Sequence, residues 1–90
     1  MKDLVGRSAF RRDLKRLAKR GINRAPLDAV IEALRTDEPL PAARRDHPLK
    51  GDWVGWRDCH IAPDWLLIYK VTAVEVLLAR TGTHADIFGT

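Results

Sequence analysis

The segment Trp65–Val71 reads Trp-Leu-Leu-Ile-Tyr-Lys-Val, an almost unbroken apolar run that begins just after Pro63. Such a run is typical of a central β-strand that is covered on both faces. The flanking stretches 53–61 and 74–81 are also rich in aromatic and branched residues. Because short links join the three stretches, we predict an antiparallel meander of three strands.

The first forty residues carry a helical pattern instead. Apolar residues recur at helical spacing from Phe10 to Ile22, which predicts a helix over residues 8–20 with Ser8 as its N-cap and Gly21 as its stop. Pro26 suits the first turn of a second helix, which we expect to end near Thr36. Residues 2–7 form a candidate first strand, and an irregular polar segment covers residues 40–52.

These elements predict an α+β fold in which two N-terminal helices pack on one face of a small antiparallel sheet. Ninety residues and 10.2 kDa suit one domain, residues 1–90. A composition of 46% hydrophobic and 31% charged residues is ordinary for a globular chain and argues against intrinsic disorder. We expect a functional site on the other, partly open face of the sheet.

Positive charge is concentrated at one end of the chain. The net charge is +4, but the first 25 residues hold nine Lys and Arg against two Asp. On the predicted first helix they form two ridges: Arg11, Lys15, Lys19 and Arg12, Arg16, Arg20. A basic face of this kind suits a polyanion or an acidic protein as partner. A solvated helix face explains it equally well.

The single cysteine, Cys59, excludes an intramolecular disulfide, and no CxxC pair is present. Neighbouring residues on a strand point to opposite faces, so Cys59 and His60 cannot form a nucleophile pair, and we interpret Cys59 as a small apolar residue. The chain shows no apolar leader and no apolar run of about 20 residues. We therefore expect a cytoplasmic protein that does not contact a membrane.

Chemically reactive side chains gather in the β half, which holds all three histidines. His60 and Asp64 flank a three-residue link between strands, so we expect them to be neighbours, while Arg80 and His84 lie at the end of the last strand. Each also has a structural interpretation: surface histidines, a turn-forming Asp64, and an Arg80 that pairs with Asp58 or Glu75. The histidine spacings match no compact metal-ligand pattern. For the tryptophans, a core position is favoured, although Trp53 or Trp56 could stack on a base.

Several sequence blocks in the second half carry a resemblance. They are Asp-His-Pro-Leu at 46–49, Gly51-x-Trp53-x-Gly55-x-Arg57-Asp58-x-His60, Pro63-Asp64-Trp65-x-Leu67-Ile68-Tyr69-Lys70, Arg80-Thr81-Gly82-Thr83-His84 and Ile87-Phe88-Gly89. Together they resemble the YafQ branch of the RelE/ParE toxin superfamily over residues 40–89. The first forty residues match only in pattern, as two helices of which the first is basic.

The resemblance implies a microbial RNase fold and a ribosome-dependent mRNA endonuclease of a type II toxin–antitoxin system. It also implies a set of functional residues in this chain. They are His47, His60, Asp64, Arg80 and His84 as catalytic residues, with Trp65 and Phe88 against the RNA.

These residue types suit RNA cleavage that needs neither a metal nor another cofactor and uses the RNA 2′-OH as nucleophile. Histidine titrates near neutrality and serves as base and acid, and an arginine stabilises charge on the phosphate. We assign His60 with Asp64 to the base side, His84 as acid and Arg80 to the phosphate. We expect His47 to assist, and Phe88 or Trp65 to stack on a base.

The resemblance further implies partners: a cognate antitoxin that is acidic where it meets the toxin, the ribosome with its mRNA, and operator DNA only through the antitoxin complex. The basic residues Arg11, Arg12, Lys15, Arg16, Lys19 and Arg20 then serve to bind ribosomal RNA phosphates. Three alternatives remain at this point: a toxin of the same superfamily that acts on DNA gyrase, a regulatory toxin that only binds its antitoxin on DNA, and a plain RNA-binding module.

Overall fold

The computed structural model describes residues 1–89, in which a five-stranded mixed sheet has the order β1-β5-β4-β3-β2. The strands are β1 (Asp3–Gly6), β2 (His47–Pro48), β3 (Arg57–Ala62), β4 (Trp65–Val71) and β5 (Glu75–Gly82). The helices are α1 (Ser8–Lys19), α2 (Ala25–Arg35) and α3 (His84–Phe88). An α+β fold is therefore confirmed.

The predicted meander forms the centre of the sheet. β4 lies between β3 and β5 and is antiparallel to both, and it has the bounds that the apolar run predicts. β3 begins at Arg57, four residues later than predicted. The delay arises because Gly51–Trp53 form a 3₁₀ turn and Gly55 has a φ of +90°, which no regular strand contains.

The edges of the sheet correct the prediction of an antiparallel sheet. β1 is parallel to β5, with Asp3 opposite Glu75 and Gly6 opposite Leu78. The meander rule applies to consecutive strands joined by short links, whereas α1, α2 and three strands separate β1 from β5. At the other edge, the two-residue β2 pairs with β3. It lies in segment 40–52, for which an irregular structure was predicted.

The two N-terminal helices have almost the predicted bounds. α1 begins at Ser8 itself, so the N-cap is Arg7 and the prediction of Ser8 as cap is wrong. No side chain caps this end, because the Ser8 hydroxyl is already inside the first turn. α2 carries Pro26 in its first turn, as predicted. α3 is a third helix that the sequence analysis did not predict.

The core lies between the N-terminal helices and one face of the sheet. Buried residues of α2 and Phe10 of α1 pack against Cys59 and Ile61 of β3 and against residues of β4 and β5. Cys59 is fully buried, and burial raises the pKa of its thiol to about 12. Its interpretation as an apolar core residue is confirmed. Among residues 1–89, no helix combines the length and the apolar character that crossing a membrane requires.

Candidate active site

The register of the sheet places two of the predicted site residues, His47 and Arg80, in one row. His47 of β2 pairs with Asp58 of β3, Asp58 pairs with Ile68 of β4, and Ile68 pairs with Arg80 of β5. Directly paired residues share a face of the sheet, so these four residues form one row across four strands. His60 lies two residues beyond Asp58 on the same strand and begins the next row.

Asp64 and His84 are joined by two contacts. His84 Nδ1 lies 2.7 Å from Asp64 Oδ1, and the backbone N–H of His84 donates to the same oxygen at 3.1 Å. These hydrogen bonds lower the pKa of Asp64 below its ordinary value. Asp64 therefore bonds to His84 and not to His60, the neighbour predicted from chain geometry. The strand register shifts between His60 and Ala62, just before Asp64.

The end of β5 does return to the β3–β4 turn, and α3 brings two rings to the same place. The ring centroids of His60 and His84 are 6.1 Å apart, and those of His84 and Phe88 are 6.4 Å apart. His84 and Phe88 are four residues apart on one helix and so lie on one side of it. His60, Asp64, His84 and Phe88 form the cluster that we call the histidine site.

α3 is fixed by a capping box and an ion pair. Thr83 Oγ1 accepts from the backbone N–H of Asp86, and Asp86 Oδ2 accepts from the backbone N–H of Thr83. Arg20, the residue that directly follows α1, binds Asp86 through two nitrogens at 2.7 and 2.9 Å, and this bonding strongly lowers the pKa of Asp86. The Thr-x-x-Asp spacing before Gly89 is the sequence signal that predicts this helix.

Arg80 is bound by a residue that sequence reasoning did not select. Asp13 of α1, whose exposed fraction is 1%, accepts from Arg80 Nε at 2.7 Å and from Arg80 Nη2 at 3.1 Å. Asp13 also accepts from the backbone N–H of Thr81 and from Arg16 Nη1. The suggested partners of Arg80, Asp58 and Glu75, are thus wrong. The only signal for Asp13 was an acidic residue in the apolar stripe of a basic helix.

His47 lies beside a buried carboxylate. Its Nε2 is 2.8 Å from Asp58 Oδ1, yet that oxygen has no partner in hydrogen-bonding geometry within residues 1–89. Burial raises the pKa of Asp58, and the three histidines act in the opposite direction. All three are therefore close enough to Asp58 to influence its charge.

The segment that carries His47 is tied to the sheet by the preceding residue. Asp46 accepts hydrogen bonds from Tyr69 Oη and, at 3.1 Å, from Arg57 Nε. Burial and the hydrogen bond to Asp46 raise the pKa of Tyr69, so its hydroxyl stays protonated and donates.

The two aromatic residues expected to meet RNA differ in their surroundings. Trp65 is half-buried against the core, and its Nε1 donates to Thr81 Oγ1 at 2.9 Å. It also lines a cavity of about 190 Å³ that Leu17 and Ile22 share. Phe88 is exposed beside His84. Phe88 is therefore part of the histidine site, and Trp65 lies next to it.

The basic ridges of α1 are not equivalent. Arg11, Arg12, Lys15 and Lys19 are exposed and form no ion pair within residues 1–89. Arg16 and Arg20 are committed to Asp13 and Asp86. The part of the chain that the structure describes contains no group of three or more His, Cys, Asp or Glu side chains arranged to hold a metal ion.

Comparisons with known proteins extend over the whole chain. A sequence profile described as "Bacterial toxin of type II toxin-antitoxin system, YafQ" matches residues 2–89. The mRNA interferase toxin YafQ of Escherichia coli K12 is 42% identical over 89 residues, which cover 98% of this chain and 97% of that protein.

Solved structures agree with this similarity. YafQ from E. coli BL21(DE3) has a TM-score of 0.92 at 40% identity and covers 99% of this chain and 100% of its own. In the E. coli DinJ–YafQ toxin–antitoxin complex, the matching chain has a TM-score of 0.89 at 42% identity over 98% of both chains. The resemblance inferred from the motifs is thereby confirmed, and this chain belongs to the YafQ family of toxins from type II toxin–antitoxin systems.

Proposed function

We propose that this protein is a ribosome-dependent mRNA endonuclease whose activity inhibits translation and which its cognate antitoxin neutralises. The similarity to an mRNA interferase toxin over nearly the whole chain supports an activity on mRNA. The observation that carries the chemistry is the pair of histidine rings, His60 and His84, with centroids 6.1 Å apart. Hydrogen bonds span about 2.7–3.2 Å, so both rings can reach one phosphate group placed between them.

The proposed reaction begins at the RNA 2′-OH. His60 removes the proton, the 2′-oxygen attacks the adjacent phosphorus, and the bond to the leaving 5′-oxygen breaks. His84 donates a proton to that oxygen, so the products are a 2′,3′-cyclic phosphate and a 5′-OH. Histidine serves both steps because its ordinary pKa is near neutrality.

Asp64 gains a more specific role from the geometry. With the proton on Nδ1, His84 donates to Asp64 Oδ1 at 2.7 Å and keeps Nε2 for proton exchange. The bond from the His84 backbone N–H to the same oxygen fixes the carboxylate relative to the start of α3. Asp64 thus orients the acid instead of assisting the base.

Arg80 is proposed to stabilise the negative charge on the phosphate. Asp13 occupies its Nε and one Nη2 hydrogen, and the carbonyl of Asp86 accepts from Nη2 at 3.1 Å. The Nη1 donors are the ones that these bonds leave for RNA. His47 assists beside Asp58, while Trp65 and Phe88 supply surfaces on which bases stack.

The exposed charges of α1 are proposed to bind ribosomal RNA. Arg11, Lys15 and Lys19 form a ridge on one side of the helix that makes no ion pair with residues 1–89, and Arg12 extends it. Such a field steers docking onto a polyanion. Ribosome-bound mRNA is a cytoplasmic target, which is where we place the protein.

The antitoxin is proposed to be acidic where it meets this toxin, and operator DNA to be contacted only through the toxin–antitoxin complex. A solved complex of E. coli DinJ and YafQ supports the existence of such a partner. Both the basic ridge of α1 and the cationic groups of the active site would attract acidic side chains.

The test is cleavage of a defined mRNA by partner-free protein, with and without programmed ribosomes, followed by mapping of the 5′ ends. We expect cuts only in the ribosome reactions and, for His84→Ala, a rate lower by about 10²-fold or more. Asp28→Asn is the control, because Asp28 lies exposed on α2. A folded wild type that cuts neither free nor ribosome-bound mRNA would contradict the proposal, and inhibition of DNA gyrase would then identify the alternative.

A further inference from the structure

A second, larger cavity opens beside the histidine site. It has a volume of about 390 Å³ and is lined by residues 43–45 and 60–63, so that the 3₁₀ turn Ala42–Arg44 faces the end of β3. Small-molecule and cofactor sites have volumes of roughly 300–1,000 Å³. Ala62 also lines the smaller apolar cavity beside Trp65, so the two cavities adjoin at the β3–β4 turn.

This cavity is cationic. Arg44 and Arg45 both line it, and neither guanidinium forms an ion pair with a carboxylate of residues 1–89. Arg44 Nη1 donates to the carbonyl of Ile61 at 2.8 Å, which holds this side chain against the end of β3. A guanidinium has five N–H donors, so most of those on Arg44 are free for another acceptor.

The backbone supports the same arrangement. Arg45 has a φ of 50° in the left-handed region, which costs a residue with a side chain about 1 kcal/mol or more. This turn places two consecutive arginines beside the cavity, directly before the segment that carries His47. Unpaired arginines of this kind are suited to bind phosphate oxygens in the bidentate manner.

The position next to His60 identifies the kind of occupant. His60 lines the cavity, and its ring centroid lies 6.1 Å from that of His84. An RNA strand cleaved between these two rings must continue past each of them. The space beside His60 is therefore within reach of the next nucleotide of the strand.

We propose that this cavity is a nucleotide subsite, in which Arg44 and Arg45 bind a phosphate of the RNA strand one step away from the scissile phosphate. The inference rests on the proposed function, since it takes RNA as the substrate. It adds a binding determinant that lies outside the histidine site and outside the basic face of α1. An acidic segment of a protein partner is the competing occupant.

The first experiment measures binding of a fluorescently labelled RNA hexanucleotide that carries only 2′-O-methyl sugars and cannot be cleaved. Arg45→Gln and Arg44→Gln are compared with Arg24→Gln. Arg24 is exposed at the start of α2, so this control variant loses the same charge outside the cavity. We expect each cavity variant to raise the Kd by about tenfold and to reduce the salt slope of log K by about 0.7. Binding equal to that of Arg24→Gln would overturn the subsite.

Arg45→Gln is the more informative variant, because the exposed Arg45 side chain makes no bond to β3, whereas loss of the Arg44–Ile61 bond can disturb the strand end. Far-ultraviolet circular dichroism and the thermal midpoint check that both variants are folded. An Arg44→Lys variant keeps the charge but not the fork of donors, and we expect it to bind between wild type and Arg44→Gln.

The second experiment locates the ligand by nuclear magnetic resonance, using the four nucleoside 3′,5′-bisphosphates and inorganic phosphate as probes. We expect a bisphosphate to shift the backbone amides of Ala43, Arg45 and Ala62 more strongly than phosphate does at equal concentration. Equal shifts with inorganic phosphate, or shifts confined to α1, would overturn the proposal. An acidic peptide that shifts these amides while the bisphosphates do not would assign the cavity to a protein partner.

These readouts separate the subsite from the proposed function. If wild type cleaves ribosome-bound mRNA and the Arg44 and Arg45 variants retain the kcat/KM of Arg24→Gln, the subsite proposal is wrong and the nuclease proposal is supported. If wild type does not cleave, the nuclease is wrong, and the bisphosphate titration still decides whether the cavity binds nucleotides.

Discussion

Asp13 and Arg80, sixty-seven residues apart in the sequence, form an ion pair in which Asp13 Oδ2 accepts from Arg80 Nε at 2.7 Å. The carboxylate is almost fully buried, and it also accepts from the backbone N–H of Thr81 at 3.1 Å. β1 pairs with β5 only as far as Leu78, so no strand accepts the hydrogen bond from the Thr81 N–H on that edge of β5. The Asp13 carboxylate accepts it instead. One side chain of α1 thereby fixes both the strand end and the arginine proposed to bind phosphate.

Replacement of Asp13 tests this double role. We expect Asp13→Ala to lower the free energy of unfolding by about 3 kcal/mol, because it leaves Arg80 and the Thr81 N–H without their buried acceptor. Urea denaturation followed by circular dichroism measures the change. Asp28→Ala removes the exposed partner of Arg24 and is expected to cost less than about 1 kcal/mol. Equal losses for the two variants would contradict the structural role of Asp13.

The isosteric Asp13→Asn variant separates positioning from folding. Its amide keeps one acceptor but presents a donor to Arg80, so we expect a folded protein with mRNA cleavage reduced by about tenfold or more. The loss should lie in kcat and not in KM, since Arg80 is proposed to act on the developing charge. A variant that cleaves at the wild-type rate would show that Arg80 does not depend on Asp13.

Asp58 is expected to act in opposite directions on stability and activity. Its folded-state pKa is raised by burial, so the folded protein holds its proton to higher pH than the unfolded chain does. The free energy of unfolding therefore falls as the pH rises from the ordinary carboxyl pKa through the raised folded-state pKa of Asp58. The lost stability is not regained at higher pH, so wild type is still destabilised at pH 7. We expect Asp58→Asn to be more stable than wild type at pH 7 and to cleave mRNA about tenfold more slowly, because His47 loses its charged neighbour.

The measurement is chemical denaturation of both proteins at pH 7 and at pH 5. The stability difference should shrink at pH 5, because the raised pKa of Asp58 brings its buried carboxylate closer to protonation there, and protonation removes the buried charge. A difference that grows on acidification, or a variant less stable than wild type at pH 7, would contradict this account of Asp58.

Local patterns predicted α1, α2 and β4 well, because apolar periodicity and the prolines at 26 and 63 act within a few residues of the elements they define. They also predicted the strand β1, but not its parallel pairing with β5, which lies about seventy residues away and is chosen by tertiary contact. α3 was not predicted, because five residues are too few for a periodic pattern. The capping box of Thr83 and Asp86 is its one sequence signal.

The candidate site shows the same division. The motifs placed His60, Asp64 and His84 in one region, and the structure brings them together. Which of them bond to each other depended on where α3 places His84, which is separated from Asp64 by 20 residues in the sequence. Asp13 was missed because its ion-pair partner, Arg80, lies in the other half of the chain.

Gly82 is expected to be essential for the position of α3. Its φ is +148°, and a Cβ on this residue would lie 2.9 Å from Asp86 Oδ2 and 3.0 Å from Asp86 Cβ. We expect Gly82→Ala to displace Asp86, to destabilise the protein by about 2 kcal/mol and to speed hydrogen exchange in α3. Gly21→Ala is the control, since Gly21 also has a positive φ but no atom within 4 Å of the added carbon. Similar exchange of α3 in both variants would contradict the prediction.

The basic face of α1 is tested by the salt dependence of ribosome binding. We expect Lys15→Gln and Lys19→Gln each to reduce the slope of log K against log salt by about 0.7–0.9, the value for one phosphate contact. Sedimentation with ribosomes at several potassium chloride concentrations gives the slope. The Arg24→Gln variant should leave it unchanged. Slopes that are equal in all four proteins would show that α1 does not contact ribosomal RNA.

The most direct test of the central claim is the chemistry of the cut ends. Cleavage by the 2′-OH with histidines as base and acid must leave a 2′,3′-cyclic phosphate, or the 3′-phosphate formed from it, and a 5′-OH. Mass spectrometry of the fragments from ribosome-bound mRNA identifies these groups, and an mRNA with one 2′-deoxyribose at the cut position should resist cleavage. A 3′-OH with a 5′-phosphate, or cleavage of the 2′-deoxy substrate at the normal rate, would contradict the account.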